Sequence, residues 1–178
     1  CAAIFFSTVN NIFMLFLALL ALRLSGQGMM YMVYTTAVTR RYTFIRGNIC
    51  DKELLRRIFK KFSIDGIINF AAESHVDNSI INPSLFTETN ILGVHSILQI
   101  ANEFWMNGPF KVKSKFSHSR FHQISTDEVY GSIEFGSFSE SNKYSPSSPY
   151  SASKATADML ISGFHKTYGL DTTISICS

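Results

Sequence analysis

From residue 41 onward, short runs rich in β-branched and aromatic residues alternate with stretches whose apolar residues recur three and four apart. That alternation constrains the fold more than any other feature, because strand–helix–strand units close as a parallel sheet with crossover helices. Tyr42-Thr43-Phe44-Ile45 reads as a short strand. Asp51 can cap a following helix that places Leu54, Leu55, Ile58 and Phe59 on one face. The run from Gly66 to Ala72 predicts a strand covered on both faces. Asn82-Pro83 can open the next helix, with a stripe of Phe86, Ile91, Val94, Ile97, Leu98 and Ala101. Gly108 to Arg120 is polar and basic, as expected of a loop. Phe121 to Ser125 predicts a strand, Pro149 to Tyr168 a long helix ended by Gly169, and Thr172 to Cys177 a last strand. The expected fold is therefore α/β, a partial, doubly wound parallel sheet flanked by helices. In such sheets ligands bind beyond the carboxyl ends of the strands, so chemistry is sought in the residues just after each strand.

The first thirty residues read differently. Ile12 to Leu22 is an unbroken apolar run, which fits the core of a signal sequence or a weak span better than a globular helix. No basic segment precedes it, the chain opens on Cys1, and Met29 or Met30 lies nearer a usual start. We divide the chain into residues 1–30, an apolar segment of open status, and residues 31–178, the globular part. A signal, an anchor and a stretch foreign to the protein all remain open for the first part, and membrane contact depends on it. The net charge of +3 is spread along the chain, and Lys111, Lys113 and Lys115 lack a neighbouring aromatic platform. Nucleic acid is therefore not an expected partner. Cys1, Cys50 and Cys177 are odd in number and far apart, and the five His residues offer no ligand spacing. Neither a disulfide framework nor a metal site is expected, and the default compartment is the reducing cytoplasm.

Two constellations fall just after strands or at a helix start. Ser125-Thr126-Asp127-Glu128-Val129-Tyr130-Gly131 places a hydroxyl and two adjacent carboxylates at a strand's end. Adjacent carboxylates in a partly closed site repel, which raises the proton affinity of one and suits a general acid beside a general base. A solvated turn or helix cap is the plainer reading of the same pair. In Tyr150-Ser151-Ala152-Ser153-Lys154 the Tyr and Lys are four apart and share a helical face. An ammonium near a phenol favours phenolate, so the expected effect is a lowered Tyr150 pKa and a base able to act on a hydroxyl. Such a pair alone also occurs on ordinary helices.

Further blocks join these two in order. They are Gly47-Asn48-Ile49-Cys50-Asp51, Phe70-Ala71-Ala72-Glu73-Ser74-His75-Val76-Asp77, Thr89-Asn90-Ile91-Leu92-Gly93 and Ser148-Pro149-Tyr150 leading to Ala155. Together they resemble the dTDP-glucose 4,6-dehydratase family, NAD-dependent enzymes of the extended short-chain dehydrogenase class with a Rossmann-like fold. The likeness runs over about residues 41–178, and Asp127 separates it from related epimerases and decarboxylases. The resemblance implies that Tyr150 takes the proton of the glucose 4-hydroxyl while NAD accepts hydride, and that Lys154 holds the nicotinamide ribose. It implies that Glu128 removes the carbon 5 proton, Asp127 protonates the departing 6-hydroxyl and Thr126 bonds the oxygen at carbon 4. Phe70, Ala71, Ala72, Glu73 and Ser74 would line the cofactor, with Ser74 also near substrate. Asn48 and Ile49 would lie by the adenine, and Thr89 would touch the cofactor. A homodimer through the helices at 83–104 and 149–168 is implied as well.

The family's Gly-x-x-Gly-x-x-Gly turn has no match, since Gly26 and Gly28 stand two apart with no helix pattern after them. The acidic residue that would grip the adenosine ribose is missing too, and Asn48 stands where the family usually has Asp. The expectation is a dehydratase of dTDP-glucose whose 178 residues alone bind NAD weakly or not at all. The alternatives are a non-catalytic fragment and a related UDP-sugar dehydratase or epimerase.

Overall fold

The structure is a computed structural model that describes residues 43–177. A compact unit begins at Gly47. The apolar segment 1–30, its membrane reading and Tyr42 lie outside the described residues. Among the described residues no helix is long and apolar enough to cross a membrane.

Helix α1 (Lys52–Phe62) starts where an acidic cap allows it: the Asp51 carboxylate accepts the Leu54 N–H at 3.0 Å. Glu53 sits in its first turn and Lys60 and Lys61 in its last, which matches charge to the helix dipole. Strands β1 (Gly66–Asn69), β2 (Arg120–Thr126) and β3 (Thr172–Cys177) form a wholly parallel sheet in the order β1-β2-β3. Gly66–Asn69 pair with Arg120–Gln123, and Phe121–Thr126 with Thr172–Cys177. Alternation along β2 buries Phe121, Gln123 and Ser125 and leaves His122, Ile124 and Thr126 half covered. The main core lies on the first of these faces. There Phe59, Trp105, Phe121, Ile161 and Leu170 meet. The Trp105 indole also donates to the Ile64 carbonyl at 2.7 Å, so the largest core side chain has its one polar atom satisfied.

Two expectations are corrected here. Thr43, Phe44 and Ile45 are irregular and exposed rather than a strand, because no described strand supplies a ladder for them. The strand expected over residues 66–72 stops at Asn69 and is not covered on both faces. Ile68 is 63% exposed and Phe70 73%. β1 lies at an edge of the described sheet, and the described core clusters gather on the other face. An apolar run records what a strand tolerates on its faces; it does not supply the covering layer.

Between β1 and β2 the single expected helix is more broken. A short helix, α2 (Val76–Ile81), comes first and was not anticipated. Pro83 then opens α3 (Pro83–Phe86), as the sequence implied. A π-helical segment (Thr87–Gly93) follows and runs into α4 (Val94–Trp105). The expected stripe holds: Phe86, Val94, Ile97, Leu98 and Ala101 are buried and Ile91 is half-buried.

Helix α5 (Pro149–Tyr168) has the bounds the sequence predicted. Ser148 and Ser151 form a reciprocal capping box at its start, and Gly169 ends it in the left-handed conformation at φ 74°. Its buried face carries Tyr150, Lys154 and Asp158 along with apolar residues. An amphipathic helix that buries three ionisable groups needs a reason beyond packing.

Candidate functional site

The carboxyl end of β2 meets the first turns of α5. Thr126 ends the strand, and Asp127–Tyr130 form one 3-10 turn after it. The Thr126 hydroxyl caps that turn by accepting the Glu128 N–H at 3.3 Å, and it donates to Asp127 Oδ1 at 3.4 Å. Asp127 is half-buried and Glu128 exposed. The turn is held in place from behind. Ser145 N–H donates to the Val129 carbonyl at 2.9 Å, and Gly131 sits so close that a Cβ there would lie 2.5 Å from the Ser145 carbonyl oxygen. At φ 93° glycine is the residue that fits.

Tyr150 is buried, its ring edge-on to Phe86 with centroids 6.3 Å apart. Its phenol is pushed above the ordinary value chiefly by burial; the Thr126 hydroxyl pulls it back, and the charges of Glu128 and Asp127 push it further. The acid/base candidates from the two constellations are thus close enough to feel one another. The expected lowering of Tyr150 by its lysine is not found. The Lys154 ammonium, only 5% exposed, donates instead to the Ile124 carbonyl at 2.6 Å. Burial lowers its proton affinity, while Asp158 and Cys177 oppose that change. Sharing a helical face placed Tyr150 and Lys154 side by side in sequence terms, but it could not say which partner the long ammonium arm would reach.

The segment after β1 is tied to the same helix through Asn90. The Asn90 side chain accepts the Glu73 N–H at 2.8 Å and donates to the Glu73 carbonyl at 3.0 Å and to Ser153 Oγ at 2.8 Å. Ser153 in turn donates to the Tyr150 carbonyl at 2.7 Å. Asn69 donates to Gln123 at 2.9 Å across the sheet and accepts the Ala71 N–H at 3.2 Å. The backbone of residues 69–73 is therefore anchored, with Ala72 half-buried and Phe70, Ala71 and Ser74 exposed. Thr89 is half-buried in the π segment, next to Asn90. Asn48 and Ile49 stand apart from the acidic turn. Asn48 closes the turn before α1 by accepting the Cys50 N–H at 2.9 Å. Ile49 presses on Gly93, where a Cβ would come within 2.4 Å of its Cδ1. The Ile49 side chain is thus committed to packing.

An open cavity of about 690 Å³ lies beside the acidic turn, walled by Asp127, Tyr130, Phe138, Glu140 and Ile176. Tyr150, Lys154 and Glu128 are not part of its wall. The residues that sequence reasoning passed over are Asn90, Tyr144 and Asp158. Asp158 had a usable signal, because it follows Lys154 by one helical turn on the same face. The inward turn of Asn90 depends on the π segment, for which sequence periodicity offers no pattern.

A sequence model of the GDP-mannose 4,6 dehydratase family matches residues 27–178. The dTDP-glucose 4,6-dehydratase of Salmonella typhimurium is 43% identical over 150 residues, which are 79% of this chain and 41% of the relative. A solved structure of the Streptomyces venezuelae dTDP-glucose 4,6-dehydratase DesIV, a double mutant with NAD and DAU bound, superposes with a TM-score of 0.66 at 43% identity. It matches over 75% of this chain and 37% of that one. The UDP-glucose 4-epimerase of Thermotoga maritima, solved with UDP-glucose, gives a TM-score of 0.65 at 26% identity, over 76% and 40% of the two chains. The chain spans about two fifths of the length of the curated relatives it matches.

Proposed function

The chain belongs to the GDP-mannose 4,6 dehydratase family, and on that premise we propose that its residues serve an NAD-dependent dTDP-glucose 4,6-dehydratase. The observation that carries the reading is the meeting of Thr126-Asp127-Glu128 with Tyr150 at one strand end, where both carboxylates act on the phenol. The donor set suits a nicotinamide dinucleotide. The Lys154 ammonium has three donors and spends one on Ile124, which leaves others for ribose hydroxyls. The anchored backbone of residues 69–73 would border the same group. When bound, NAD supplies the acceptor for a hydride from the sugar and later its return.

Tyr150, once deprotonated, takes the proton of the 4-hydroxyl as that carbon is oxidised. Its raised proton affinity keeps it protonated until a positive charge brought beside it favours the phenolate. The resulting carbonyl acidifies the proton at carbon 5. Glu128, exposed and free to reach a ligand, removes that proton. Asp127 protonates the departing 6-hydroxyl, and water leaves. Thr126 holds the oxygen at carbon 4 through both steps. The exposed Ser74 is suited to a further contact with the sugar. Asn48, Ile49 and Thr89 belong to the adenine and cofactor side, with Ile49 acting through its backbone because its side chain is packed against Gly93.

Met159, 61% exposed, lies with Leu160 and Phe164 in a shallow apolar groove on α5, and this supports a homodimer built on that helix and on the helices of 83–104. Equilibrium sedimentation at two concentrations tests it, and a monomer throughout rejects it. A cytoplasmic setting goes with the reading, since Cys50 and Cys177 are free thiols.

The test of function is NAD binding to the full chain by calorimetry, then absorbance of the 4-keto product with dTDP-glucose and with UDP-glucose. Turnover of dTDP-glucose alone supports the proposal. Turnover of UDP-glucose moves it to the related sugar nucleotide enzymes, and a folded chain that binds no NAD makes these residues a non-catalytic remnant.

A further inference from the structure

Behind Tyr150 and Lys154, on the same face of α5, the Asp158 carboxylate is buried with 2% of its surface exposed. Ser125 Oγ donates to its Oδ2 at 2.5 Å, and the Tyr144 hydroxyl donates to the same oxygen at 3.3 Å. Its Oδ1 is buried and has no hydrogen-bond partner among the described residues. An asparagine would accept both of these hydrogen bonds through its carbonyl oxygen at far lower desolvation cost. Hydrogen bonding alone therefore does not explain a carboxylate here. A counter-charge does. The Lys154 ammonium is buried one turn earlier, and its one hydrogen bond goes to a neutral carbonyl.

We propose that Asp158 is a positioning residue of the site: it fastens Ser125, and so the turn Thr126-Asp127-Glu128, to the helix of Tyr150 and Lys154, and it balances the buried Lys154 ammonium. Among the described residues the groups that face this pair are few. β2 supplies Ser125 and the Ile124 carbonyl, the loop before α5 supplies Tyr144 with Tyr130 beside it, β3 supplies Cys177, and α5 supplies only the pair itself. Cys177 is the second group that favours the charged lysine, but it is exposed, whereas Asp158 is enclosed with its partner. Burial opposes the charge on both members, and each favours the charge on the other. The functional meaning rests on the reading of Tyr150 and Lys154 given above, while the coupling itself does not.

The experiment is a pH titration of the full chain labelled with carbon-13 at lysine Cε, followed by nuclear magnetic resonance, with the Lys154 signal assigned through its loss in Lys154→Gln. In Asp158→Asn the Lys154 midpoint moves to lower pH, because the negative neighbour that favoured its proton is gone. A purely structural role would leave that midpoint in place. A folded Asp158→Asn with an unchanged Lys154 midpoint overturns the proposal. If Asp158→Asn fails to fold, Ser125→Ala carries the test, since it keeps the carboxylate and cuts the tether. Amide exchange at Asp127 and Glu128 then quickens relative to the middle of α5, and unchanged exchange there overturns the tether. Neither readout needs NAD or a sugar, so a failure here leaves the dehydratase reading standing, and the converse holds as well.

Discussion

On one side of the end of β2, Ser125, Asp158 and Lys154 are buried and bonded to one another or to backbone. On the other side, Asp127 and Glu128 reach toward solvent from a 3-10 turn and hold few partners. Consecutive residues of one strand, Ser125 and Thr126, belong to the two groups, because alternation sends their side chains to opposite faces. The buried group depends on the fold and the fold on it: each member left alone would be a desolvated charge or an unmet donor. The exposed group has no such duty to the fold, so its composition is open to selection by chemistry. The difference separates residues that hold a geometry from residues available to use it.

The comparison breaks most visibly if the buried side is cut. Asp158→Ala strands the Ser125 and Tyr144 hydroxyls and the Lys154 charge, and should cost about 3 kcal/mol in urea unfolding. Next comes Asn90→Ala, which removes the clasp between Glu73 and Ser153 at a cost of about 2 kcal/mol by the same measurement. A smaller effect sharpens the contrast through pH. The folded proton affinity of Asp158 lies above its ordinary value of 3.8, mainly through burial. Between 3.8 and that higher value the native state binds the proton more tightly, so this contribution to stability is full below 3.8 and is lost as pH rises through the folded pKa. Asp158→Asn should remove that falling component from a stability-versus-pH series. The smallest effects on folding belong to Asp127→Asn and Glu128→Gln, each under about 0.5 kcal/mol. In a protein that turns over dTDP-glucose, however, either should slow turnover by about 100-fold. Glu128→Gln should also move the phenolate absorbance of Tyr150 to lower pH, because one of the charges raising it is gone.

Much of this was legible in the sequence. Helix α5 and strand β3 appear at their expected residues because a proline at the helix start, a terminal glycine and a run rich in β-branched residues are local signals. The acidic turn was found because it follows a strand, where open α/β sheets place their chemistry. What escaped was non-local. The exposure of Ile68 depends on what lies over the sheet, and the reach of Lys154 to Ile124 depends on a carbonyl thirty residues away. Asp158 looked like any polar residue on a helix until β2 and the loop of Tyr144 closed around it.

The π segment at Thr87–Gly93 has a consequence for how such a chain can change length. A π turn holds one more residue than the α turn it replaces. Deleting a single residue there would leave an unbroken, well-bonded helix, so folding would tolerate the loss. Yet each residue advances an α-helix by about 100°, so Asn90 and Phe86 would no longer point to the places they now occupy. Glu73 and Ser153 would lose their shared partner, and the Tyr150 ring its edge contact. A one-residue deletion in this stretch is thus cheap for the helix and ruinous for the alignment of three chain segments, which makes its length, more than its composition, the quantity held fixed.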